Sequence, residues 1–259
     1  MHVLVTGVSG FVGASLVPAL QARGHFACRE DDRQCEAIVH LANIAHTAAP
    51  ATELYRVNVE GTRRQALMGI AAGARRFVYI SSAKAAAPDD VYGRTKLAAE
   101  NALAQIKDLE VVVLRPPLVY GPRVKANFLS VLRAIGRGWP LPFASIENRR
   151  SLIYVGNLCD AIIRCIEAPE AAGRTYGVSD GSPVSTPHLC TALGNALGRP
   201  ARLFRFPVPL LELAPPLRRL TRSLEVDDSA IRNDLGWRPP YTFEEGLRLT
   251  AEWYLAQRG

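Results

Sequence analysis

The stretch TGVSGFVG, residues 6–13, sets three glycines, Gly7, Gly10 and Gly13, between an apolar run and a helical pattern. Residues 3–6 read as a short buried strand, and residues 11–23 repeat apolar side chains at helical spacing. Strand, glycine turn and helix in that order make a cradle for phosphate. Glycine permits the tight turn and lets the backbone approach an anion, while N–H groups at the helix start attract it. An acidic residue about 20 positions further on is expected to bind an adenosine ribose. Asp31 is that candidate; Asp32 and Arg33 follow it, and an arginine there would instead suit a 2′-phosphate. The reading is NAD, with NADP as the alternative.

Working outward, residues 37–42 (AIVHLA), 77–81 (FVYIS) and 111–114 (VVVL) are near-continuous apolar runs, as in strands buried on both faces. Helical patterns over 53–72 and 92–106 separate them, so the alternation predicts an α/β fold with a parallel sheet and crossover helices. Later come a helix near 127–136, a strand at 152–155, and helices at 158–168 and 187–197. Proline-rich FPVPLLELAPPLRR, residues 206–219, breaks the pattern and reads as a lid, a mobile loop or an amphipathic membrane contact. Between Arg29 and Ala37 too few residues remain for a crossover of the usual dozen. A second helix and third strand are therefore expected to be shortened or missing.

The chain has 259 residues, 48% hydrophobic and 21% charged, which fits a globular protein with a sizeable core. No run of 18 apolar residues occurs, and MHVLVTGVSG goes straight into a strand, so the expectation is a cytoplasmic protein without stable membrane insertion. Five scattered cysteines form no CxxC pair and no cluster with the five histidines; they read as reduced thiols, and no metal site is expected. The net charge of +7 is mostly dispersed arginine without a basic, aromatic-interleaved helix. That argues against nucleic acid and suits a phosphorylated ligand, since the guanidinium fork matches phosphate oxygens.

A second stretch carries the chemistry. In ISSAKAAAPDDVYGRTKLAAE, residues 80–100, Lys96 follows Tyr92 by four positions, so on a helix both side chains share one face. A phenol of pKa about 10 is a poor base at neutral pH, and a nearby ammonium favours its phenolate. The pair suits proton transfer to and from a hydroxyl while hydride leaves the same carbon.

With TGVSGFVG, HLA at 40–42, NVEGT at 58–62, ISSAK at 80–84, YGRTK at 92–96, LRPPLVYGP at 114–122, RRSLIYVGNLCDAI at 149–162 and LGW at 235–237 in order, the chain resembles the extended short-chain dehydrogenase/reductases. Within them it resembles the NAD-dependent epimerase/dehydratase group acting on nucleotide sugars. The resemblance implies a Rossmann-like doubly wound sheet formed by residues 1–118 and 151–180. Residues 119–150 and 181–259 would form a smaller, mostly helical substrate-binding region. It implies Tyr92 as general acid/base, Lys96 lowering its pKa and holding the nicotinamide ribose, Ser82 bonding the reacting oxygen, and Asn58 holding a water near the lysine. Gly7, Gly10, Phe11, Val12, Gly13, Asp31, Leu41, Ala42, Lys96 and Pro116 would hold the cofactor; Lys84, Asn127 and Arg150 would hold a nucleotide sugar.

On that basis the expected reaction is oxidoreduction at C4 of a UDP-linked sugar, most simply 4-epimerisation. A 4-keto reductase forming a deoxy-amino sugar nucleotide is the alternative, and a non-catalytic dinucleotide sensor the second. A 4,6-dehydratase is disfavoured, because Ala83 and Lys84 follow Ser82 where those enzymes carry an acidic pair. The resemblance also favours a homodimer through paired helices that include the one bearing Tyr92.

Overall fold

The computed structural model describes residues 1–28, 35–44 and 49–257, apart from the side chain of Pro216. In chain order it runs β1 (His2–Thr6), α1 (Gly13–Ala22), β2 (Phe26–Cys28), β3 (Ala37–His40), α2 (Ala51–Tyr55) and α3 (Gly61–Ala71), with a π-helical turn Arg56–Glu60 joining the last two. Next come β4 (Arg76–Ile80), α4 (Val91–Ala104), β5 (Glu110–Arg115), β6 (Leu118–Tyr120), α5 (Ala126–Gly136), β7 (Leu152–Tyr154) and α6 (Val155–Glu167). The remainder is β8 (Thr175–Gly177), α7 (Thr186–Ala196), α8 (Val208–Glu212), α9 (Pro215–Thr221), α10 (Ser229–Leu235) and α11 (Phe243–Ala256).

The chain divides into two compact units. The first comprises Met1–Pro117, Leu158–Val178 and Asp227–Arg238. Its six strands are all parallel, in the order β2-β1-β3-β4-β5-β8. Val3, Ile38, Val39, Phe77, Val78, Val112 and Leu114 are buried in it, which is why their runs are apolar without alternation. Burial of Arg76 is compensated in full: its guanidinium donates to the carbonyls of Cys165, Ile166 and Ala168 at the end of α6 and to Glu110.

β2 and β3 pair with β1 on opposite sides, yet only eight residues separate Cys28 from Ala37. Such a link reaches roughly 30 Å at full extension and is shorter than the usual parallel crossover of about a dozen residues. The expected helix at 53–72 is instead α2, the π turn and α3. Thr62 Oγ1 donates to the Asn58 carbonyl at 2.7 Å inside that turn. The strands β2, β6 and β8 are three residues each, too short to show a period in sequence.

The second unit comprises Leu118–Asn157, Ser179–Val226 and Pro239–Gly259, with β6 parallel to β7. Its centre is aromatic and hydrogen-bonded. Buried Tyr120 stacks on Phe128 and donates its hydroxyl to Asp180, which also accepts from the Tyr154 N–H and Asn157 Nδ2. Residues 206–219 form the short helices α8 and α9 between prolines, and α11 starts with a capping box in which Thr242 and Glu245 bond reciprocally. Among the described residues no helix is long and apolar enough to cross a membrane.

Candidate active site

The glycine turn of the first unit is built for close approach. Gly7 sits at φ 75°, and a Cβ there would lie 3.0 Å from the Ala42 nitrogen. A Cβ on Gly13 would lie 2.4 Å from the Gly7 carbonyl oxygen, so both positions demand glycine. α1 starts with no side-chain cap and no acidic residue in its first turn, leaving its positive end to an outside anion. Phe11 and Val12 are half-buried beside exposed Gly10, and Leu41 and Ala42 follow β3 behind the turn. This cradle of backbone N–H groups fits the pyrophosphate of a dinucleotide. Asp31, the expected ribose ligand, lies outside the described residues.

Residues 92, 96 and 100 of α4 form one column. Lys96 is fully buried; its Nζ donates to the Ile80 carbonyl at the end of β4 (2.8 Å) and lies 5.8 Å from the Tyr92 ring centroid and 4.7 Å from that of Tyr79. One turn on, Glu100 accepts from Ser81 and from both sides of the Arg115 guanidinium fork, with Nε at 3.0 Å.

These charges act differently from the sequence expectation. Burial pushes the Lys96 amine down to about 7, partly opposed by Glu100. The Tyr92 phenol is pushed up to about 12, by burial first and by Asp90 second. Burial and the Asp90 charge govern the tyrosine, and the lysine amine beside it is itself desolvated.

A chain of hydrogen bonds that sequence reading missed links the glycine turn to α4. Thr6 Oγ1 accepts from the Ala42 N–H and bonds His40 Nδ1 at 2.8 Å; His40 Nε2 bonds Thr62 Oγ1 at 3.1 Å. Since Thr62 donates to the Asn58 carbonyl, it accepts from His40, so the network assigns the proton to Nε2. Asn58 Nδ2 donates to Thr95 Oγ1 at 3.3 Å, and Thr95 donates to the Tyr92 carbonyl at 2.8 Å. Burial, followed by the Lys96 charge, holds His40 down at about 3, so it is neutral throughout this chain of bonds.

Asn58 also grips the backbone of Ile44 at both ends, accepting from its N–H at 2.8 Å and donating to its carbonyl at 3.1 Å. Its amide thus bonds protein partners through both its oxygen and its nitrogen.

Ser82 caps the 3₁₀ turn Ala83–Ala85, accepting from the Lys84 N–H. That turn packs on the start of α4, where Gly93 makes room: a Cβ there would stand 2.8 Å from the Lys84 carbonyl oxygen. Ser82 and Tyr92 are therefore carried by adjoining segments. Lys84 is paired with Asp90, the N-cap of α4, and the Pro116 carbonyl accepts from the Ala83 N–H at 2.9 Å.

In the second unit Arg150 lines a cleft of about 430 Å³ with Asp180, Ser182, His188, Tyr241 and Phe243. Its Nη1 donates to the carbonyls of Arg219 and Arg222, and burial lowers its pKa. Asn127 lies in the first turn of α5.

Residues 26–179, more than half of the chain, match the model of the NAD dependent epimerase/dehydratase family. The chain belongs to this family. The family consists of NAD-dependent enzymes, epimerases and dehydratases among them. The chain is 36% identical to the UDP-glucose 4-epimerase of Vibrio cholerae, covering 98% of this chain and 95% of that protein. It is 27% identical to the UDP-glucose 4-epimerase of Mycolicibacterium smegmatis, covering 98% of each. In fold it is similar to the UDP-glucose 4-epimerase of Thermotoga maritima, with TM-score 0.81 at 21% identity over 100% of both chains. The Vibrio alignment runs to 314 positions against 259 residues here, so that family member carries segments this one lacks.

Proposed function

We propose that this family member interconverts C4 epimers of a UDP-linked sugar. The observation that carries the reading is the Tyr92–Lys96 pair on one face of α4, with Lys96 fixed to the end of β4. The 36% identity to a UDP-glucose 4-epimerase supports the substrate class. NAD, when bound, supplies the hydride acceptor and donor. The glycine-turn N–H groups would hold its pyrophosphate, and Lys96, with one of its three protons on Ile80, keeps two for the ribose. Tyr92 exchanges the proton of the sugar hydroxyl, with Ser82 bonding the same oxygen. A phenol held near 12 favours the protonated, acid form, so the base form requires the charge of a bound cofactor or substrate to shift it.

In this reading the glycine turn takes the dinucleotide, and Lys84, Asn127 and Arg150 are the residues assigned to the nucleotide sugar. The setting is the cytoplasm, which agrees with cysteines that form no disulfide among the described residues. Exposed Leu67 and Met68 on α3 support a homodimer through helices of the first unit.

The test is incubation of purified protein with UDP-glucose and no added cofactor, followed by chromatography of the sugar nucleotides. Appearance of UDP-galactose is expected. Stoichiometric use of NAD(P)H with a 4-keto sugar and no interconversion would favour the second reading, a 4-keto reductase. The eight-residue link between β2 and β3 favours that alternative, because a curtailed adenosine side suits a cofactor that exchanges each turnover.

A further inference from the structure

The second unit has a surface that the reaction does not use. Residues 199–222 contain six arginines and one glutamate, a net +5 of the +7 carried by the whole chain. The same segment exposes large apolar side chains: Leu213 is 78% exposed, Leu210 53% and Phe204 44%. Leu210 and Leu213, three positions apart, share a side of the α8 turn, while Leu211 between them is buried as the anchor. The segment's sole carboxylate, Glu212, is engaged by the Thr221 hydroxyl at 2.8 Å.

The hairpin is held in part by its backbone, which leaves several of its charged side chains outward. Carbonyls of residues 219, 220 and 222 accept from Arg150, Asn148 and Thr186, whereas the side chains of Arg218 and Arg219 are exposed. A further exposed apolar side chain adjoins the start of the segment. Leu203 bridges Leu141, which brings Phe204 beside the turn carrying Trp139, itself 56% exposed and stacked under Arg137.

Exposed leucines and tryptophan beside net positive charge fit the boundary of an anionic bilayer: apolar tips enter the acyl edge, and exposed guanidinium groups such as those of Arg218 and Arg219 meet phosphate. From this we infer that residues 199–222, with Trp139, dock the chain on an anionic phospholipid surface, lying on it without crossing. Charge complementarity selects this occupant over a neutral apolar partner.

The experiment is co-sedimentation of the full chain with phosphatidylcholine vesicles, with or without roughly one third phosphatidylglycerol. Binding is expected only to the mixed vesicles, and high salt should weaken it. Leu210→Ser with Leu213→Ser should lower the bound fraction about tenfold, and Arg218→Gln with Arg219→Gln should do the same. Circular dichroism and the melting temperature check that each variant folds; if the leucine pair does not, the arginine pair and the lipid comparison still decide. Wild-type protein left in the supernatant, or bound equally to pure phosphatidylcholine, overturns the inference. So does light scattering in which the leucine pair merely converts a dimer to a monomer, because a second copy then covers the patch.

Discussion

Lys96 Nζ donates to the Ile80 carbonyl at 2.8 Å, which ties the lone lysine of α4 to the end of the strand preceding Ser82. The amine is fully buried, and burial brings its pKa to about 7 from an ordinary 10.5. Between those values the unfolded chain binds a proton that the folded chain does not, so this group makes stability rise with pH from about 7 towards 9, above which the buried thiols of Cys159, Cys165 and Cys190, pushed up to about 12, act the other way. Urea titrations of the cofactor-free protein across that range should show the rise, and Lys96→Met should remove most of it.

His40 acts with the same sign at lower pH. Its folded pKa of about 3 lies below the usual 6.5, so the stability of the neutral ring is full above 6.5 and lost as pH falls towards 3. A His40→Gln variant should be less stable at neutral pH through the broken Thr6 and Thr62 bonds, yet lose less on acidification. Paired melts at neutral and acid pH read the difference.

Glu100 joins Ser81, Arg115 and, through its charge, Lys96. Replacing it by alanine leaves Arg115 without its carboxylate and should cost about 2 kcal/mol, towards the low side because Arg115 keeps 25% of its side chain exposed. It should also lower the Lys96 pKa further, moving the alkaline limb above to lower pH.

Gly13→Ala tests the cradle. The added methyl would meet the Gly7 carbonyl at 2.4 Å, so the turn must open. Dinucleotide retained after purification, measured by absorbance on denaturation, should fall sharply while the secondary structure persists.

The sheet was legible because its long strands are buried on both faces: residues 37–40, 77–80 and 111–114 need no alternation to be recognised. The glycine turn was legible because Gly7 and Gly13 answer to backbone contacts that only glycine tolerates. What escaped was carried by distant partners. Nothing in HLA says that His40 will stand between Thr6 and Thr62, and nothing in NVEGT says that Asn58 will clamp Ile44. Glu100 had a local signal, its place four residues beyond Lys96, but its value lies in Arg115, which comes from β5. The tyrosine's pKa could not be read either, since burial, the dominant cause, is a property of the fold.

The central claim is that the Tyr92 hydroxyl exchanges a proton with the sugar. Its most direct test is the turnover of Tyr92→Phe with UDP-glucose, measured beside retained dinucleotide. Turnover should fall at least about 100-fold with dinucleotide content unchanged; a phenylalanine variant that interconverts the sugars at the wild-type rate would contradict the account.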